Sequence, residues 1–324
     1  MRIIDAHIHV LDRSWIPAGV RYAWARQATG RREPMRRIED VEPQVMVKQS
    51  DPTAEITMKA FERVGVEAAL IPVVDWTLVA GRDPNDLTID QLHDRHDQLA
   101  IATEGRLRYC AGIDPRHPDA RERLAQVVTR PHCAGIKLYP AGGWSMSDRS
   151  HWWIFEFAND HQVPVVIHTS PLGGDPLVTP NSRPSEIAPA MAAFPSVSWV
   201  FAHAGFEAWW LEAVDIASGW QSAYLDLSLW QICAQNDYEE FRKRIRTAVS
   251  RVGAHRILFG SDIIRGPGED EDGSRLGEWI KLFIGLGEPY KGTDRVVSEQ
   301  DLELMLAGNA ARLYGFTSRE NQKG

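Results

Sequence analysis

The chain has little cysteine: Cys110, Cys133 and Cys233 are the only three in 324 residues, and no two form a C-x-x-C pair. A disulfide-stapled scaffold, a zinc knuckle and a dithiol redox motif are thereby excluded. A sparse, odd set fits a reducing cytoplasm. Long apolar runs are missing as well, since none approaches the roughly 20 residues of a membrane-spanning helix. The opening residues Met1-Arg2-Ile3-Ile4-Asp5 turn polar too early for a secretory leader. Positive charge is also short, with 36 Lys and Arg against 44 Asp and Glu and a net charge of −8. Nucleic acid or an anionic membrane surface would need an excess of cations, so neither is an expected partner. The run from Arg31-Arg32 to Arg36-Arg37 is broken by Glu33 and Pro34 and reads as a solvated loop. No internal repeat and no low-complexity segment stands out. The Gly-rich phosphate fingerprint of a doubly wound dinucleotide fold does not follow the first candidate strand.

What the sequence does have is a regular alternation. Short apolar, β-branched runs recur at residues 2–10, 66–74, 106–113, 134–138, 164–169, 198–203, 222–227 and 256–261, and these read as strands. Between them, helical spacing covers 53–64, 89–104, 118–129, 150–161, 185–194, 207–218 and 238–252, with Asp51-Pro52 opening the first. Strands alternating with helices imply parallel pairing through right-handed crossovers. Eight such units at this length predict a closed (β/α)8 barrel. Segments 11–49, 75–88 and 171–183 exceed the usual connection of about 2 to 6 residues. All three follow candidate strands, so they are expected as loops crowning the C-terminal face, where barrel active sites are built. Residues 266–273 form an acidic, Gly-rich loop, and 274–286 and 298–314 read as closing helices.

The chemistry-bearing residues sit at the ends of those strands. In Asp5-Ala6-His7-Ile8-His9 the two histidines are two apart, so on a strand both can face the barrel mouth. Converging neutral imidazoles are good ligands for Zn²⁺, Fe²⁺ or Mn²⁺. His168 ends Val165-Val166-Ile167, His203 ends Trp199-Val200-Phe201-Ala202, and Asp262 follows Ile257-Leu258-Phe259-Gly260-Ser261. A barrel brings all these strand ends to one small volume. Lys137 and Tyr139 lie two apart at the end of the fourth strand and are candidate substrate contacts. Among the twelve tryptophans, Trp76, Trp144, Trp209, Trp210 and Trp230 fall near loops after strands, where some could line an aromatic pocket. Arg149, Arg183 and Arg265 lie in loops that could reach a substrate carboxylate.

In order along the chain come Asp5-Ala6-His7-Ile8-His9, Gly135-Ile136-Lys137-Leu138-Tyr139-Pro140, Val166-Ile167-His168, Phe201-Ala202-His203-Ala204-Gly205, Leu258-Phe259-Gly260-Ser261-Asp262 and Gly308-Asn309-Ala310-Ala311-Arg312-Leu313-Tyr314-Gly315. This series resembles the amidohydrolase superfamily, and within it the amidohydrolase-2 branch that includes aminocarboxymuconate-semialdehyde decarboxylase. The resemblance spans about residues 1–316. It implies a distorted α/β TIM barrel in one domain over 1–324, with a core of 1–316 and a tail of 317–324. It further implies one divalent metal, zinc or manganese, with His7, His9, His168 and Asp262 matching the ligands. His203 matches the histidine beside the metal-bound water. Binuclear relatives carry a carboxylated lysine on the fourth strand, so Lys137 is a free substrate-binding ammonium, a carboxylated ligand or a structural group.

Three histidines and one carboxylate leave a metal position open for water, whose pKa can fall to about 7. Asp262 would then ligate the metal and take the proton, with His203 orienting the water. The expected activity is a metal-dependent hydrolase acting on a small cyclic or aromatic molecule at a C–O or C–N bond. A metal-dependent decarboxylase is the alternative; hydroxybenzoate decarboxylases often carry Glu-x-His where this chain has His7 and His9. A barrel that has lost activity would show damaged ligand positions, and none is damaged. The small-molecule substrate is the expected partner, and a homo-oligomer is compatible with the sequence.

Overall fold

The computed structural model describes residues 1–29, 36–79 and 86–317. Arg31 and Arg32 of the basic run, residues 80–85 of the second insertion and residues 318–324 of the expected tail lie outside the described residues. Eight strands pair in parallel in chain order: β1 (Ile4–Asp5), β2 (Ala68–Pro72), β3 (Leu107–Gly112), β4 (Cys133–Leu138), β5 (Val165–His168), β6 (Trp199–Ala202), β7 (Ala223–Asp226) and β8 (Ile257–Leu258). Each lies inside a run read as a strand from sequence, except that β4 begins at Cys133, one residue before the 134–138 run. Helices fill the crossovers, as parallel pairing requires. The first and last strands meet through backbone bonds: Ala6 N–H donates to Phe259 O at 2.9 Å, and Asp262 N–H donates to His7 O at 2.7 Å. The chain is thus a (β/α)8 TIM barrel.

Two packed layers follow from the strand alternation. Ile4, Ala6, Leu70, Val166, Val200, Ala202 and Leu258 form the inner cluster, while Ile71, Ile136, Val165, Ile167, Phe201 and Phe259 pack outward against the helices. On β1 the alternation slips by one residue. Ile4 and Ala6 belong inside, yet Ile8 and Val10 join the outer layer, and this slip turns His7 and His9 toward the interior. It also explains why the regular ladder of β1 is only two residues long rather than the nine expected over 2–10. At the other end of the barrel the closing helix presents Ala307, Ala310 and Tyr314 to the inner cluster. Its buried Asn309 amide donates to Ala254 O and Ile257 O, both at 2.8 Å.

The main departure from the sequence reading is the first insertion. Residues 11–49 contain a helix, α1 (Ala18–Thr29), and a shorter one at Ile38–Val41. The buried residues of α1 are Gly19, Val20, Ala23, Ala25 and Thr29, so small side chains carry its contact and leave a faint apolar stripe. A further helix at Gln231–Asn236 follows β7 and was also not foreseen.

Candidate metal centre

His7 is fully buried, and its Nδ1 lies 2.5 Å from Asp226 Oδ2 at the end of β7. The ring therefore donates from Nδ1, which leaves the Nε2 lone pair free. That Nε2 stands 3.4 Å from Asp262 Oδ1, and His9 Nε2 stands 3.2 Å from the same oxygen. His7, His9 and Asp262 form a group whose ligand atoms all lie within 4.8 Å of one another. His7 Nε2 and Asp262 Oδ1 are both buried with no hydrogen-bond partner. Unsatisfied atoms of this kind are rare in a folded chain, and an imidazole nitrogen facing a carboxylate oxygen is a donor set that suits a divalent cation.

His168 ends β5 on the opposite wall and lies outside this group of three. Its Nε2 is likewise buried without a partner. Its Nδ1 is 3.1 Å from His203 Nε2, and His203 Nδ1 is 2.9 Å from Ser228 Oγ. Both ring nitrogens of His203 are therefore engaged by protein groups, and Trp230 Nε1 donates to its carbonyl at 2.9 Å. Burial pushes His7, His168 and His203 well below the usual histidine range, which keeps the rings neutral and their lone pairs available.

Backbone strain marks the same positions. His203 has φ +66° and Asp262 φ +56°, a left-handed conformation that non-glycine residues seldom adopt and that collects at functional sites. Each is held in place: Gly205 N–H donates to Thr169 Oγ1 at 3.0 Å after His203, and the Asp262 amide is tied to β1. Asp5 supports the arrangement from below by accepting from His7 N–H at 3.2 Å and Ser261 N–H at 3.0 Å. Burial raises the Asp5 carboxyl to about 7.

His9, His168, His203 and Asp262 floor a pocket of about 210 Å³ whose walls include Trp24, Trp76, Tyr139, Leu11, Val74, Leu172 and Ile264. Trp24 meets Trp76 edge to face at 5.5 Å between ring centres, Trp76 meets Tyr139 at 6.3 Å, and Tyr139 lies 4.6 Å from the His168 ring. Lys137 and Tyr139 both line this pocket, as their strand-end positions suggested. Lys137 is its one lysine or arginine among the described lining residues. Burial pulls the Lys137 ammonium below the usual lysine range, against the pull of Asp226 and Asp262, and pushes the Asp226 carboxyl above the usual carboxylate range.

Several expected contacts lie elsewhere. Arg265 is 1% exposed and paired with Asp270 at 3.1 Å. Arg183 pairs with Glu212 at 2.9 Å, and Arg149 lies over the Trp152 ring. None of the three lines the pocket, because each already has a local partner. Sequence reading missed Trp24 and Gln27, which α1 carries into the pocket, and Asp226 and Ser228, which sit behind the histidines. Asp226 carried a usable signal, since it ends the run Ala223-Tyr224-Leu225 as His168 and His203 end theirs.

The sequence profile of the amidohydrolase family, in its second subdivision, matches residues 4–316. No curated protein matches the chain. Among solved structures, 5-carboxyvanillate decarboxylase from Sphingomonas paucimobilis is 15% identical, with 98% of this chain and 99% of that one covered and a TM-score of 0.65. A dihydroxybenzoic acid decarboxylase from Polaromonas sp. JS666, with bound manganese and 2-nitroresorcinol, is 16% identical over 99% and 98%, TM-score 0.63. An amidohydrolase from Burkholderia multivorans with bound zinc is 16% identical over 98% and 100%, TM-score 0.61. At these identities the likeness carries the fold.

Proposed function

Because the chain belongs to the amidohydrolase family, an enzyme family that depends on metal, we propose that His7, His9, His168 and Asp262 hold one divalent cation, zinc or manganese. The observation that carries this reading is a set of three buried atoms without partners: His7 Nε2 and Asp262 Oδ1, which face each other at 3.4 Å, and His168 Nε2, whose residue lines one pocket together with Asp262. A cation bound there supplies a Lewis acid for a polarised oxygen. The remaining roles fall to the chain itself. Asp262 accepts a proton from the attacking water, and His203 flanks the reacting centre. Lys137 holds an anionic group of the substrate, Tyr139 contacts its ring, and the tryptophan walls exclude bulk water.

Hydrolysis of a C–O or C–N bond in a small cyclic or aromatic molecule is the leading reaction. Asp262 Oδ1 supports it, as a carboxylate oxygen with no protein donor of its own. Decarboxylation is the second reading, and a lysine beside aromatic walls, suited to an aromatic carboxylate, supports it. Turnover in ¹⁸O-water separates the two: hydrolysis places the heavy oxygen at the cleaved centre and releases no carbon dioxide. Stoichiometric carbon dioxide with solvent hydrogen at carbon would reverse the order. Three free cysteines support a reducing, cytoplasmic setting, and residues 1–316 are taken as one catalytic unit.

A further inference from the structure

Asp262 stands in the wall of two cavities. One is the aromatic pocket; the other, of about 220 Å³, shares Leu229, Asp262 and Ile264 with it. Gln231 and Gln235, one turn apart on the helix at Gln231–Asn236, both line the second cavity. The Gln231 amide is fixed in orientation, because its Nε2 donates to Ser261 O at 2.6 Å and a carbonyl only accepts. Its Oε1 is therefore the free end, and that atom is buried with no hydrogen-bond partner. Such an oxygen is uncommon and costly in a folded chain. Leu229, common to both linings, has φ +68°, a strained conformation for a residue with a side chain.

The two cavities differ in chemistry. The first has walls of Trp24, Trp76 and Tyr139 and a single lysine among its described lining residues. In the second, Gln49, Gln231 and Gln235 supply amides, and Glu269 pairs with Arg275. Beyond Asp262, no unpaired charge lines it among the described residues. An anion there would meet the Asp262 carboxylate, whereas a neutral group that donates hydrogen bonds matches the amides and the bare Gln231 oxygen. A decarboxylase of an aromatic acid needs room for one ring, since its other fragment is carbon dioxide. A hydrolase divides its substrate into two larger fragments, and two cavities that meet at the proposed base suit that division.

We propose that the second cavity takes the leaving half of the substrate, with Gln231 as a specificity-determining residue. The substrate class is then an ester or amide of an aromatic acid whose alcohol or amine half is uncharged and donates hydrogen bonds. This rests on the hydrolase reading above and deepens it. The bond to be cleaved lies across Asp262. The water oxygen bonds to the acyl carbon, the bond from that carbon to the leaving oxygen or nitrogen breaks, and the water proton taken by Asp262 passes to the leaving atom. The acid stays with the ring, and the alcohol or amine departs on the Gln231 side.

The test compares benzamide, which carries the ring half alone, with hippuramide (N-benzoylglycinamide), which adds a neutral glycinamide half. Calorimetry on the metal-free full chain, where neither probe is turned over, gives both affinities, and a crystal soaked with hippuramide locates the second half. Hippuramide is expected to bind about tenfold tighter than benzamide, the effect of about one net hydrogen bond, with its ring against Trp76 and Tyr139 and its glycinamide beside Gln231. Gln231→Leu removes the amide at similar volume. Ile232→Trp fills the second cavity from a position that is 39% exposed and has room for a larger side chain. Each is expected to bring the ratio of the two affinities close to one, and Ile232→Trp decides alone should Gln231→Leu not fold. Benzamide binding with no gain from hippuramide, a glycinamide seated away from Gln231, or a gain that survives these variants overturns the proposal. Failure of both probes to bind removes the aromatic-pocket reading and the proposal with it. The expected binding together with carbon dioxide release from the native substrate would instead sink the hydrolase reading and the ester or amide class, and leave the second cavity standing as a subsite.

Discussion

At the scale of single residues, the candidate ligands were readable because a polar side chain ending an apolar run is conspicuous. His168, His203 and Asp262 have that form and His7 and His9 stand out as a His-x-His pair; the barrel brings His9, His168, His203 and Asp262 to one pocket, with His7 against Asp262 and His203 behind it. Asp226 and Ser228 were not read, although Asp226 ends a run in the same way. Its meaning depends on which neighbouring side chain faces it across the barrel, and His7 is 219 residues distant. A serine after such a carboxylate has no local signature at all. The residue-scale prediction concerns His7 and His9. Replacing both by Ala removes two of the four proposed ligands, so metal retained after gel filtration should fall from about one equivalent to near zero by elemental analysis. Stoichiometric retention by the folded double variant would contradict the assignment.

At the scale of elements, strands and crossover helices were readable from period, and the helix inside the first insertion was not. The reason is physical: α1 buries glycine, alanine, valine and threonine, which give little contrast between its faces, and its Trp24 earns meaning only once Trp76 stands opposite. The loops after β2 and β3 are tied by the buried Asp75 carboxylate and a half-buried histidine, a pairing that sequence spacing does not reveal. Asp75 accepts from Thr77 and from the Asp114 amide, and His117 Nε2 lies 3.2 Å from Asp75 Oδ2. Trp76, between Asp75 and Thr77, is thereby fixed as a pocket wall. The hydrogen bond to Asp75 raises His117 above the usual 6.5 despite partial burial; Asp114 adds to the pull and Arg123 opposes it. A raised histidine stabilises the fold fully below its unfolded value and loses that contribution as pH climbs through the folded one. His117→Gln should therefore lower unfolding stability by about 1 kcal/mol at about pH 5.5 and by much less at about pH 8.5. Urea titrations at the two pH values check this, and an equal loss at both would remove the ion pair from the account.

At the scale of the whole molecule, the barrel separates two kinds of buried polar residue. Those at the C-terminal ends of the strands, such as His7 and His168, have atoms left without partners. At the opposite end, Asn309 satisfies its amide with Ala254 O and Ile257 O and anchors the helix whose Ala307, Ala310 and Tyr314 close the inner cluster. The Gly308-Asn309-Ala310 motif was legible as part of the family pattern, but its work is structural: it joins the end of the chain to the entrance of β8. Conserving barrel geometry at that end and chemistry at the other is the usual division in this fold. Asn309→Ala would remove both side-chain bonds, and although Ala254 O keeps the Ile257 N–H, the buried Ile257 carbonyl loses its Asn309 donor, at a cost of about 1–3 kcal/mol before any relaxation. The expected result is a clear drop in the denaturation midpoint, while the metal content and turnover per folded molecule stay close to wild type. Both readouts can be taken on the same preparation, by denaturant titration and by elemental analysis with active-site normalised rates. Loss of metal at unchanged stability would mean that this end of the barrel also governs the centre, and the division drawn here would fail.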